Sequence, residues 1–177
     1  VQHVRNMHPA NRDTLTIRGK AQFLSSAIKK FRYAEAYGDS LGSFKLSVKA
    51  TPVSMSEFSR ISNPLAAVNI EDGQLDTMTA RISGNKYAAI GEMKFYYHDL
   101  KVSVLDHEDT TRNRISLSFV NFVANKFVIK TNNGKQSRIF YIRDREKFVF
   151  NYWIKSMMSG MLTSAGVKSN KAYEKQY

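Results

Sequence analysis

In the stretch from Gly91 to Leu105, "GEMKFYYHDLKVSVL", the apolar side chains change phase halfway along. Met93, Phe95 and Tyr97 alternate with polar or charged partners, the period of a half-buried strand. From Leu100 onward the apolar residues are the even ones, Leu100, Val102 and Val104, with Lys101 and Ser103 between them. Because side chains repeat every second residue along a strand, one extra residue moves every later side chain to the other face. The simplest reading is a bulge or tight turn at His98-Asp99, in a sheet that the bulge bends and twists.

The segment before it supplies a partner strand. In "ISGNKYAAIGEM", Gly84-Asn85 can close a two-residue primed turn, which predicts Ile82 opposite Tyr87, Ala80 opposite Ala89 and Met78 opposite Gly91. Met93, Phe95 and Tyr97 then extend the same apolar face. Leu15 to Phe23 and Phe44 to Ala50 also alternate, the second run pointing lysines to water. Strand character resumes at Val68 and Ile70, is interrupted by "EDG", and continues through Met78, Ala80 and Ile82. "FVIKTNNGKQSRIFYI" reads as another hairpin, turning at Asn133-Gly134.

Helices are fewer. "SMSE" at 54–57 is a capping box, and the short helix after it should end before Pro64, since the residue preceding proline avoids the helical region. Ile115, Phe119, Phe122, Val123 and Phe127 fall at helical spacing. Near the end, Phe150, Trp153, Ile154, Met157, Met158 and Met161 form one helical stripe, with Lys155, Ser156 and Ser159 opposite. The expected fold class is therefore α+β and β-rich, a curved, mainly antiparallel sheet of hairpins with two or three amphipathic helices. Residues 1–167 read as a single domain and 168–177 as a tail.

With 42% hydrophobic residues in 177, the chain has material for a real core. Its formal net charge of +12 is spread from Arg5 to Lys175 without an unbroken basic block, which fits an ordinary solvated surface at least as well as a nucleic-acid face. Tyr96 and Tyr97 point to opposite faces of a strand and make no single stacking platform, so no nucleic-acid partner is expected. The absence of cysteine removes disulfides, zinc clusters and a thiol nucleophile. The opening "VQHVRNMHPANRDT" holds no initiator Met, signal-peptide core or membrane span, and reads as the start of a C-terminal piece of something longer.

Motifs for chemistry are missing. Gly134-Lys135 is followed by Gln136 where a phosphate-binding loop needs Ser or Thr, and Ile129 stands at the first glycine's place. Ser40 and Ser43 flank Gly42 as turn residues outside any nucleophile motif. "DHED" at 106–109 reads as a solvated loop in preference to a metal site, because contiguous ligands rarely converge on one ion. His98-Asp99 reads as part of the bulge and not as an acid/base pair. No catalytic residue, metal or cofactor is expected.

Three stretches carry a family resemblance: "NPLAAVNIEDGQLDTMTARISGN", "AAIGEMKFYYHDLKVSVL" and "FNYWIKSMMSGMLTSAGV". In this order, over residues 54–167, they resemble the C-terminal region of AsmA-like proteins of the bacterial envelope, in particular the large Bacteroidetes forms. The resemblance implies a non-enzymatic, periplasmic protein whose parent is anchored in the inner membrane. It also implies a role in phospholipid transport or outer-membrane assembly through a long β-sheet with an apolar inner face, and it brings no catalytic residues with it. The partners implied are phospholipid or another envelope lipid, and envelope proteins.

The residues and the resemblance meet at that face. If lipid covers it, the lining should come from Met78, Ala80, Ile82, Met93, Phe95 and Tyr97, with Trp153 and Met157 on the C-terminal stripe as a plug or end cap. Periodicity identifies an apolar face without saying what covers it. The alternative is a structural or protein-interaction module with a closed core.

Overall fold

Alternating runs joined by short turns give a sheet in which neighbours in sequence are neighbours in space. The computed structural model describes residues 13–23, 26–66, 68–104 and 132–166. Its strands are β1 (Thr14–Phe23), β2 (Ser26–Ala36), β3 (Phe44–Ala50), β4 (Val53–Ser54), β5 (Val68–Gly84), β6 (Ala88–Val104) and β7 (Gln136–Ile142). All pairings are antiparallel, in the order β1-β2-β3-β5-β6-β7, with short β4 alongside β5; the sheet does not close into a barrel. Among the described residues two helices pack on it, α1 (Ser59–Ala66), preceded by a 3₁₀ turn at Met55–Phe58, and α2 (Val149–Ser164).

The pairings line the apolar residues up in cross-strand rows. Ile17, Tyr33, Leu46, Ile82, Gly91 and Ile139 form one row, and Phe31, Val48, Ala80, Met93 and Ser137 the next. Burying this face against α2 and the 3₁₀ turn makes the core, in which Leu75, Ala80, Ala89 and Met93 have no exposed surface. The other face carries Arg18, Arg32, Lys45, Lys49 and Arg81, all exposed.

The phase change of the sequence is a bulge within one continuous strand. Asp99 takes a left-handed φ of 55°, and an extra β6 residue sits between the pairs Gln74–His98 and Asp72–Lys101. Tyr97 before it and Leu100 after it are consequently both buried. The partner strand carries its own extra residue, Asp76, between Leu75–Tyr97 and Thr77–Tyr96, so Leu75 and Met78 also share the core face. "EDG" does not end β5 but does disturb its ladder: Glu71 is an extra residue between the pairs Ile70–Val102 and Asp72–Lys101, and Gly73, at φ 133°, lets the strand pass the bulge with Leu100 Cα close by.

Several local expectations are corrected. The central hairpin turns at Lys86-Tyr87 in place of Gly84-Asn85, which sets Ile82 opposite Gly91, Ala80 opposite Met93 and Met78 opposite Phe95. Asn85 holds this turn, its Oδ1 accepting from the amides of Tyr87 (2.8 Å) and Ala88 (3.1 Å). The shift is an even number of residues, so the core face survives it, while Tyr87 is left about half exposed. Neither Asn133 nor Gly134 has a positive φ, so they form no primed turn. Instead Asn133 bridges to Tyr97, and its Nδ2 donates to the Phe95 carbonyl at 2.8 Å.

Ser54 stands at the predicted cap position but makes no side-chain cap bond, its hydroxyl lying 2.8 Å from that of Ser56. Helix α1 runs through Pro64, because serines pin it to β5: Ser59 Oγ donates to the Ile70 carbonyl and accepts from its amide, and Ser62 Oγ donates to Val68. These side-chain bonds offset the backbone bond that proline removes. The helix expected around 115–127, the first arm of the 127–142 hairpin, the "DHED" loop and the 168–177 tail lie outside the described residues.

The largest correction is the facing of α2. Its buried side is Tyr152, Lys155, Ser156, Met158, Ser159, Gly160, Leu162 and Ser164, whereas Phe150 is 65% exposed and Trp153, Met157 and Met161 are half-buried. Small residues win because they let the helix lie close to the sheet, where their hydroxyls find partners. Ser137 Oγ on β7 donates to the Gly160 carbonyl at 3.0 Å, Ser164 Oγ reaches Ser137 Oγ at 2.7 Å, and Ser159 Oγ accepts from the Phe140 amide at 3.3 Å. Burial also drags Lys155 inward, and desolvation lowers its ammonium pKa.

Candidate functional site

Strand register decides which predicted lining residues meet. Met78, Ala80 and Ile82 on β5 lie side by side with Met93, Phe95 and Tyr97 on β6, all on the core face. Trp153 and Met157 on α2 pack against the same cluster. The structure therefore brings all eight into one apolar body. The six strand residues are 3% exposed or less, enclosed by protein. Variants that charge Met78 or Phe95 would test folding and not a ligand.

Cover thins toward β1. There the core face carries Leu15 and Ile17 on β1 and Phe31 on β2, all half-buried, residues that alternation marked as strand but not as lining. Trp153 hangs over this side of α2, its ring 4.7 Å from that of Tyr33, 6.3 Å from Phe44 and 5.1 Å from Phe150. The indole Nε1 is buried and has no hydrogen-bond partner among the described residues. An unmade bond at a buried donor costs about 1–3 kcal/mol, so this edge of the core holds an unmet demand for an acceptor. β2 itself went unread in the sequence, since "SAIKKFRYAEA" mixes phases across a register shift between Ile28 and Lys30.

The aromatic hydroxyls report how dry this body is. Burial pushes the Tyr97 phenol up to about 12 and raises those of Tyr33 and Tyr152 as well. Unfolded tyrosine ionises near ~10, so the unfolded chain loses these protons first, and stability held below that pH is lost as pH rises through the folded values. The thermal midpoint should be level up to about pH 10 and then fall, with tyrosinate absorbance appearing together with unfolding. Tyrosinate that forms in a chain still folded would refute the assignment.

Residues with chemical potential are dispersed. His98 Nδ1 faces Asp76 at 3.1 Å, both half exposed on the bulged edge, while the Asp99 amide donates to Asn132 Oδ1. Ser43 belongs to a turn around Asp39, whose carboxyl is held below its usual range by the Ser43 hydroxyl and the amides of Leu41 and Ser43. Among the described residues no three His, Asp or Glu side chains gather where a metal would sit, and no helix is long and apolar enough to cross a membrane.

The opposite face gathers what the sequence scatters. Arg18 lies directly across from Arg32, and Lys30 from Lys49; Ser47 stands between Arg32 and Arg81. Together with Lys20 and Thr79 these residues line a depression of about 600 Å³. No run of neighbours in the sequence signalled it, because the six cations come from four strands. Compared with protein families, with curated proteins and with solved structures, the chain matches none.

Proposed function

We propose that this chain is a non-catalytic module of a lipid-handling envelope sheet of the AsmA-like kind, in which α2 caps the end of an apolar β-face. The observation that carries the reading is the gradient of cover along that face. Met78, Ala80, Ile82, Met93, Phe95 and Tyr97 on β5 and β6 are sealed, whereas Leu15, Ile17 and Phe31 toward β1 are half open, as are Ile70 and Val102 beyond the bulges of β5 and β6. Acyl chains would lie along the open part, and an ester carbonyl reaching Trp153 would meet the orphan indole donor. Among the described residues β1 has β2 as its only partner strand, so its free edge can take a further strand carrying the same face onward. In this reading the sheet is curved by its bulges, the parent protein is held in the inner membrane, and the module lies in the periplasm.

A second reading, a structural or protein-interaction module with a closed core, draws on the burial of Met78, Ala80, Ile82, Met93, Phe95 and Tyr97. Native mass spectrometry of gently purified protein, with lipid extraction alongside, separates the two. Phospholipid that co-purifies, and that Ile17→Asp releases while near-ultraviolet circular dichroism stays native, would support the lipid reading. A lipid-free species that also takes up no added phospholipid would leave the closed module.

A further inference from the structure

Alternation on β1, β2, β3 and β5 sends Arg18, Lys20, Lys30, Arg32, Lys49 and Arg81 to the face away from the core, where all six are exposed. None of them forms an ion pair with a described residue, and no carboxylate lines the depression between them. Two of the cross-strand pairs, Arg18–Arg32 and Lys30–Lys49, set like charges directly opposite each other, which disfavours the sheet. A fold that carries this cost across three adjacent strands, with Arg81 on a fourth, is complementary to an anion that removes it.

We infer that this depression binds a compact ligand bearing two or more phosphate groups. Compactness follows from the limits of the patch. Four strands span about 14 Å at the ~4.8 Å spacing of a sheet. Glu92 on β6, paired with Arg81 on one side and Arg138 on the other, places a carboxylate at the border. A nucleic-acid backbone laid across the strands would run over that carboxylate, and the one aromatic residue of the lining, Phe31, packs its ring against the core, where no base can stack on it. Phosphates suit this lining because paired guanidinium groups bind them through parallel charge-assisted hydrogen bonds. The inference stands apart from any lipid on the core face.

The test uses inorganic triphosphate as the soluble probe, phosphatidylcholine vesicles with and without cardiolipin as the lipid probe, and a short duplex DNA as the competing class. Triphosphate should bind saturably and raise the thermal midpoint. Arg18→Gln/Arg32→Gln should weaken that binding by about tenfold or more and abolish the rise in midpoint, while the ligand-free variant melts no lower than wild type because a like-charge pair has gone. Retention on cardiolipin vesicles, displaced by triphosphate, would assign the phosphates to a lipid headgroup; triphosphate binding without vesicle retention would assign them to a soluble ligand. Absence of saturable triphosphate binding, or binding that the double variant leaves unchanged, would overturn the inference. So would duplex DNA that binds more tightly than triphosphate through the same arginines.

Discussion

Gly91→Ala is expected to cost about 3 kcal/mol or more, an unusually large effect for one methyl group. A Cβ at this position would stand 2.1 Å from the Arg81 carbonyl oxygen and 3.0 Å from both the Arg81 carbonyl carbon and Ile82 Cα. These are backbone atoms of the neighbouring central strand, so no rotamer change relieves the clash. β5 and β6 would have to part where their pairing anchors the sheet, and Met93 and Ile82 would lose their packing with them. Urea denaturation should show a lower midpoint with the slope preserved. A change smaller than about 0.5 kcal/mol would mean that the two strands are farther apart than described.

Gly160→Leu should lift α2 from the sheet. Its Cβ would approach Ile139 Cγ1 at 2.7 Å and the Met93 sulfur and methyl at 3.2 Å, in a seam with no spare volume. Displacing the helix also breaks the links from Ser137 to the Gly160 carbonyl, from Ser164 to Ser137 and from the Phe140 amide to Ser159. Overpacking together with lost buried hydrogen bonds gives an expected cost of about 2–5 kcal/mol. The single tryptophan rides on this helix, so its emission should shift to the red as Trp153 leaves Tyr33 and Phe44. Met161→Leu, a swap of similar volume at a half-buried position, should leave both stability and emission nearly unchanged. Equal effects from the two substitutions would show that the small-residue seam is not what docks the helix.

What could be read in the sequence was whatever period two records. The strand at Phe44–Ala50 alternates without error, and the flip at His98-Asp99 announced the bulge because a single added residue leaves an unmistakable phase mark. Register was less legible. The even shift of the central hairpin leaves every core side chain inward, so the apolar pattern is the same for either turn, and the choice fell to hydrogen bonds made by Asn85. Hydrophobicity alone turns α2 the wrong way, because it takes no account of how closely the helix must approach the sheet. Serine and glycine are poor core residues by transfer energy but good ones where a helix must come close and a hydroxyl finds an acceptor. The basic depression was hidden for a further reason: its members stand as far apart in sequence as Arg18 and Arg81, and only the strand order collects them.

The three register shifts along β5 and β6 have a consequence for how firmly the long hairpin is held. A regular ladder can slide by two residues and keep every side chain on its proper face, so alternation alone would leave seventeen-residue strands such as β5 and β6 with neighbouring registers almost as good. Here the extra residues at Asp76 and beside Asp99 behave like dislocations of opposite sign, the second undoing the offset of the first, and a third at Glu71 on β5 shifts the ladder once more. Sliding the strands would carry Gly73 away from the left-handed turn at Asp99 and put a side chain where Leu100 Cα leaves no room. Together they work as a detent, and it is this irregularity in the pattern that pins the regular part in place.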